Sequence, residues 1–392
     1  MKRNTIAVPR KNWKSEMESV GFTYHTIDGE DYWVEDAYYE FTAAQIDKLE
    51  SVTKELSDMC FKAVDYVIKH NLFAKLKLSE ESAELVRRYW DADAPTLYGR
   101  FDLGWNGVGE PKMYEYNADT PTSLMEASIA QFYWKLAYFP EADQFNNIHE
   151  TLVEQFRYIK TRLPVQATLH VAAVDDSEED KRTAHYIADA AREAGIPVKY
   201  IAMSDIGHNA EYECFVDLDE ERIEHMFKLY PWEWMEHEDF AEFAFRDMKT
   251  WLEPVWKMVL SNKAILPILW KMFPNHPNLL EAYFDEEGEP KIVDAMGKAA
   301  YVRKPIYSRE GANIEMHTGG NGCAFQSGGD YGEEGHIIQE LYLLPNFGTS
   351  EDPKFPVIGS WVVGDTPCGI GIREDNSPIT KNTSRFLPHI FR

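Results

Sequence analysis

From residue 97 to residue 117 the chain alternates with period two, turns, and alternates again. Leu97-Tyr98-Gly99-Arg100-Phe101-Asp102-Leu103-Gly104-Trp105 leads into the turn chemistry of Gly107-Val108-Gly109-Glu110-Pro111, and Lys112-Met113-Tyr114-Glu115-Tyr116-Asn117 follows. That pattern predicts a β-hairpin with a long loop. Residues two apart on a strand share a face, so Arg100 and Asp102 point one way, and Glu115 and Asn117 point together opposite or beside them. Two carboxylates and an amide oxygen are hard donors of the kind Mg²⁺ accepts, the rest of its shell coming from water and phosphate oxygens. An adjacent arginine is what a transferring phosphoryl group requires. The simpler alternative is an Arg–Asp ion pair on a solvated hairpin edge, and composition alone favours it.

Lysine and arginine number 40 against 66 aspartates and glutamates, a net charge of −26. Such a chain is a poor partner for nucleic acid or an anionic membrane, both of which need a basic face. It suits a cationic substrate, although acidity that serves only solubility is as common. Cys60, Cys214, Cys323 and Cys368 are far apart with no C-x-x-C, which argues against a disulfide framework or a structural zinc site. Met1-Lys2-Arg3-Asn4-Thr5 leads into polar sequence without the apolar stretch of a signal peptide. No apolar run approaches the ~18–20 residues of a membrane span. A reduced, cytoplasmic protein is the expectation.

No repeat or low-complexity linker divides the 392 residues, so interleaved parts of one unit are expected. Residues 1–150 read as a helical start plus the hairpin, with helices at Ala43–His70, 81–88 and 122–138. Residues 151–220 hold a βαβ unit: an apolar run at 168–174, an amphipathic helix at 178–194 and a second run at Val198–Ala202. No G-x-G-x-x-G accompanies it, so a dinucleotide fold is excluded. Residues 221–392 begin with a helical, tryptophan-rich stretch to about 285. Strands follow at 299–305, 314–317, 336–341, 357–363 and 369–373. The fold class is α/β (α+β).

Three further constellations carry chemistry. Lys304 ends a strand and precedes the loop Tyr307-Ser308-Arg309-Glu310-Gly311, whose amides could face phosphate oxygens; a basic strand end and a turn is the plainer alternative. The glycines at 319, 320, 322, 328, 329, 332 and 335 could form a flap, or a surface hairpin, which suits the tip better. Gln339 and Glu340 end a strand that could meet an adenine edge through backbone groups, or simply be buried. Arg373, flanked by Gly369 and Gly371, could clamp an anion or sit in a charged hairpin turn. No G-x-S-x-G elbow and no metal-ligand spacing among the 12 histidines is present.

Together these segments resemble the glutathionylspermidine synthase family. The resemblance rests on Tyr98-Gly99-Arg100-Phe101-Asp102, Glu115-Tyr116-Asn117-Ala118-Asp119-Thr120-Pro121-Thr122-Ser123, and Ser261-Asn262-Lys263-Ala264-Ile265-Leu266-Pro267 with Phe273-Pro274-Asn275-His276. It also rests on Val302-Arg303-Lys304-Pro305, Gly311-Ala312-Asn313-Ile314 and Gly371-Ile372-Arg373-Glu374-Asp375, and it runs from about residue 10 to the end. It implies an ATP-grasp-like ligase in permuted order, the metal ligands lying about 190 residues before Lys304. By that resemblance Asp102, Glu115 and Asn117 are Mg²⁺ ligands. Arg100 lies beside the transferred phosphoryl group and Arg373 at the reacting centre. Lys263, Lys304, Gln339, Glu340 and Leu343 contact ATP, Thr120 and Thr122 lie near the acid's site, and Glu233 contacts a substrate. Thr120 and Thr122 stand where the family has serines, which leaves glutathione itself open as that acid. The implied reaction phosphorylates a carboxylate and lets an amine displace the phosphate, giving an amide. Glutathione or another peptide would be the acid, and spermidine or another amine the nucleophile. The amidase domain that precedes the synthetase in bifunctional members has no room here, so amide hydrolysis is not expected. A chain that binds ATP as a regulatory or interaction protein and has lost ligation is the alternative.

Overall fold

The computed structural model describes residues 1–392 except 28, 286–299, 310, 319–322 and 382, and omits the side chains at 245 and 247. The hairpin forms as Tyr98–Gly104 and Lys112–Asn117, with Arg100 opposite Asn117 and Asp102 opposite Glu115. Phe101 and Tyr116 stack on the other face with ring centres 3.9 Å apart. The hairpin is the edge of a five-stranded antiparallel sheet completed from the far end of the chain. Its order is Arg385–Leu387, Thr366–Asp375, Phe355–Val363, Tyr98–Gly104, Lys112–Asn117. The helix Ala43–His70 lies against this sheet. Thr42 and Gln45 close a capping box at its start, and Thr53 reaches Ser360 at 2.6 Å. The apolar residues Ile46, Leu49, Val52, Leu56, Met59, Cys60 and Val64 form its buried stripe.

A second five-stranded antiparallel sheet runs Ala282–Phe284, His336–Glu340, Ala300–Pro305, Glu315–Thr318, Cys323–Gln326. The later strands expected from the sequence are therefore present, split between two sheets. Part of the glycine run, with the tip expected to be a surface hairpin, lies outside the described residues. A third, parallel sheet has the order Thr250–Leu252, His225–Leu229, Leu169–Ala173, Val198–Ala202, with the helix Glu178–Glu193 packed on it. The expected βαβ unit is its core.

Three expectations are corrected. The stretch from 221 to 285 is not simply helical, because it supplies two strands of the parallel sheet and one of the second antiparallel sheet. His225–Leu229 is buried on both faces, so it shows no alternation, and it carries a lysine. The first 41 residues contain the strands Lys2–Thr5 and Ala37–Phe41, which pair with each other, the second also pairing with His389–Phe391. A partner at the opposite end of the chain leaves no local signal. The helix expected over 122–138 begins only after Ser123, which sits at φ 67°, and it holds a π turn at Glu126–Ala130 before Gln131–Tyr138. Among the described residues no helix is long and apolar enough to cross a membrane.

Candidate active site

The face of the hairpin carrying Arg100, Asp102, Glu115 and Asn117 forms the floor of a cleft, and the second antiparallel sheet supplies Val302, Lys304 and Met316 to its wall. The cleft holds about 1150 Å³, part of it open to solvent. Its apolar side includes Val302, Ile314, Met316, Leu344, Val357 and Ile379. A smaller cavity of about 520 Å³ adjoins it, sharing Glu115, Asn117, Thr120, Lys263, Ser308 and Arg309.

Charge on the floor is arranged in pairs. Arg100 Nε and Nη2 donate to the two oxygens of Asp102 at 2.7 and 3.2 Å, and Nη1 donates to the Thr122 carbonyl at 2.6 Å. Arg373 Nη2 reaches Asp102 Oδ2 at 3.0 Å from the neighbouring part of the sheet. Lys263 Nζ lies 3.2 Å from Glu115 Oε2 and donates to the Ser308 carbonyl at 2.6 Å. Lys304 Nζ donates to Gln339 Oε1 at 2.7 Å and to the Tyr114 carbonyl at 3.2 Å. Gly359, opposite Asp102 on the next strand, makes room for Arg100, since a Cβ there would sit 2.7 Å from Arg100 Cδ.

Four cations thus face two carboxylates, in a chain of net charge −26. Burial pushes the Glu115 carboxyl up, but Lys263, Lys304 and Arg100 outweigh it and hold it down at about 2. Burial pulls the Lys304 ammonium down to about 8; Lys263 adds to this, against Glu115 and Asp102. The floor is therefore a cationic surface suited to polyphosphate, with a Glu115 carboxylate that stays ionised.

Asp102, Glu115 and Asn117 have the chemistry a Mg²⁺ ion needs: hard oxygens on one face of adjacent strands. The Asn117 side-chain nitrogen is buried without a hydrogen-bond partner, an unmet donor that a phosphate or water oxygen would satisfy while the amide oxygen faces a cation. Among the described residues no cluster of three or more His, Cys, Asp or Glu could hold a metal. A Mg²⁺ held here would complete its shell with the amide, water and phosphate oxygens.

Of the other residues singled out from the sequence, Thr120 and Glu233 are brought together. Arg309 donates to Thr120 Oγ1 and to Glu233 Oε1, each at 2.6 Å, with its guanidinium 5.7 Å from the Trp234 ring centre. Thr122 lines the cleft and offers its carbonyl to Arg100. Gln339 is buried, with its side chain turned to Lys304. Glu340 is engaged with Glu281 through both backbone and side chain. Leu343 is 58% exposed, and its neighbours Tyr342 and Leu344 line the cleft instead.

Sequence reasoning left several groups without a role. Arg309 stood in the quoted Ser-Arg-Glu-Gly loop, and its position five residues after Lys304 was the available signal. Glu126 is fully buried and accepts from the Tyr24 and Tyr32 hydroxyls at 3.0 and 2.7 Å, and burial raises it. Glu179 accepts from the Ser123 amide, and burial with Glu126 and Asp180 raises it to about 8. No spacing in the sequence marks either one.

Two antiparallel sheets closing on a cationic cleft define the class of fold, which is ATP-grasp-like. The same overall fold occurs in a glutathione synthetase-like effector from Globodera pallida, with a TM-score of 0.54 at 10% identity over 91% of this chain and 89% of that one. The chain belongs to the glutathionylspermidine synthase family: the model described as glutathionylspermidine synthase preATP-grasp matches residues 4–392. The resemblance drawn from the motifs is borne out. A Haemophilus influenzae protein provisionally named an acid–amine ligase is 41% identical over 402 residues, covering 100% of both chains. Trypanothione synthetase of Crithidia fasciculata is 31% identical over 85% of this chain and 53% of its own length. The bifunctional glutathionylspermidine synthetase/amidase of Escherichia coli is 26% identical over 90% of this chain and 59% of its own length. The chain thus spans just over half the length of these last two relatives.

Proposed function

We propose that this chain is an ATP- and Mg²⁺-dependent acid–amine ligase working through an acyl phosphate. The observation that carries the reading is the cleft floor, where Asp102, Glu115 and Asn117 share one face with Arg100, Arg373, Lys263 and Lys304 around them. A carboxylate oxygen of the acid attacks the γ-phosphorus of ATP, the bond to the β-phosphate oxygen breaks, and ADP leaves. The amine nitrogen then attacks the acyl carbon, loses a proton, and expels phosphate to leave the amide. Lys263 and Lys304 meet the phosphate charge. Arg100 and Arg373 meet the charge that develops first on the transferring phosphoryl oxygens and then on the tetrahedral carbon's oxygen. Asp102, Glu115 and Asn117 would hold Mg²⁺, which neutralises phosphate charge when bound.

The adjoining cavity with Thr120, Glu233 and Arg309 takes the acid, of which a peptide such as glutathione is the leading candidate. The names of the relatives and the acidic chain support a polyamine such as spermidine as the amine. With Cys60, Cys214, Cys323 and Cys368 all free thiols, a reducing cytoplasmic location belongs to the same reading.

The test is ADP release from Mg-ATP against a panel of acids and amines, for wild type and Asp102→Ala. Release that needs both an acid and an amine, and falls about 10²–10³-fold in the variant, is expected. Tight Mg-ATP binding without substrate-stimulated turnover anywhere in the panel would favour an ATP-binding protein that has lost ligation.

A further inference from the structure

The parallel sheet meets the hairpin at a buried ion pair that the proposed chemistry does not use. Asp119 is 1% exposed and Lys228 0%, with Nζ 2.8 Å from Oδ1. Lys228 Nζ also donates to the Tyr230 carbonyl at 2.7 Å and stands 4.3 Å from the Trp232 ring centre. The second Asp119 oxygen accepts the Trp232 backbone N–H at 3.0 Å. A second buried lysine grips the same segment. Lys257 Nζ donates to the Tyr98 and Ala118 carbonyls at 2.7 and 2.9 Å and pairs with Glu253 at 2.9 Å.

What these contacts tie together matters more than their strength. Asp119 immediately precedes Thr120, and Trp232 immediately precedes Glu233 on the short helix Trp232–Met235. Thr120 follows the hairpin strand Lys112–Asn117 and Glu233 follows the parallel-sheet strand His225–Leu229, yet both must lie 2.6 Å from one guanidinium, that of Arg309. A buried ion pair is a weak stabilising device, since well-packed apolar residues often serve as well; its best-attested use is to specify registry. Here the pair fixes a carbonyl and an amide of 230–232 against the chain leaving the metal-ligand strand, which an apolar contact could not do directionally.

We infer that Asp119 and Lys228 are positioning residues that hold Thr120 and Glu233 at the separation Arg309 spans, and so set the shape of the substrate cavity. The inference rests on the reading of that cavity as the acid's site.

Two variants test it. Lys228→Gln keeps a donor and removes the charge. The double variant Asp119→Asn/Lys228→Met removes both charges and leaves an amide oxygen for the Trp232 N–H. Melting temperature is recorded for each, and steady-state kinetics are run with glutathione varied and then ATP varied, spermidine saturating. The expected result is a KM for glutathione raised about tenfold or more with the KM for ATP within about twofold, persisting in a double variant that melts near wild type. A lowered melting temperature with an unchanged ratio of the two KM values would overturn the inference, leaving the pair a structural contact only. Amide hydrogen exchange on the free protein supplies a readout independent of substrate, and Lys228→Gln supplies it should the double variant not fold. Faster exchange confined to 118–122 and 232–235 is expected, and unchanged exchange there overturns the inference. Wild type that fails to turn over glutathione counts against the proposed substrate alone, and exchange then decides.

Discussion

Lys304 offers a test in which pH is the perturbation. The residue is 6% exposed, and burial together with Lys263 brings the pKa of its ammonium down to about 8 against the pull of Glu115 and Asp102. In the free protein it is mostly charged at neutral pH and loses its proton above about pH 8. A bound polyphosphate restores the charge, so nucleotide binding takes up a proton there. Affinity should then fall by up to about tenfold per pH unit above 8. The effect on folding has the opposite sign. A lysine whose folded pKa lies below its unfolded value costs stability while charged, so the cost is fully present below about pH 8 and fades as pH rises toward about 10.5. The gap from 10.5 to about 8 corresponds to roughly 3 kcal/mol, at about 1.4 kcal/mol per unit. Calorimetric titration with a non-hydrolysable Mg-ATP analogue, from about pH 7 to 9.5, reads the binding term for wild type and Lys304→Met. Wild type should weaken across the alkaline range, while the variant starts weaker and stays nearly flat. Parallel curves would refute the reasoning, because the titrating group would then lie elsewhere.

Two other perturbations follow from the same geometry. Gly359→Ala places a methyl 2.7 Å from Arg100 Cδ, and overpacking of this kind costs about 1–3 kcal/mol; turnover should fall further than the melting temperature explains, as read by kinetics beside thermal denaturation. Arg309→Gln removes the fork that joins Thr120 to Glu233, so the KM for the acid should rise about tenfold with the KM for ATP little changed, as initial-rate kinetics would report.

The hairpin was legible because alternation, Gly/Pro turn chemistry and the short separation of its strands are all local. The helix Ala43–His70 was legible because 28 residues of apolar periodicity under a Thr-x-x-Gln cap leave little choice. What escaped was non-local. The strand Ala37–Phe41 pairs with the last residues of the chain, and His225–Leu229 hides its period by being buried on both faces. The same division holds at the site. Arg100, Asp102, Glu115 and Asn117 share a face by strand spacing alone. Only the fold shows that Arg373 reaches Asp102 across 271 residues, or that Arg309 bridges Thr120 and Glu233. The buried pair Asp119–Lys228 could not be read at all, because an isolated lysine in an apolar run signals neither a partner nor a purpose.

The most direct test of the central claim follows a single oxygen atom. The acid that supports turnover is prepared with heavy oxygen in its carboxylate, and the released phosphate is analysed by mass. Reaction through an acyl phosphate transfers one labelled oxygen to phosphate in each turnover, and Asp102→Ala and Arg373→Ala slow label transfer and amide formation together, by about 10²–10³-fold. Amide formation with unlabelled phosphate would contradict the account, because the carboxylate would then have been activated by another route.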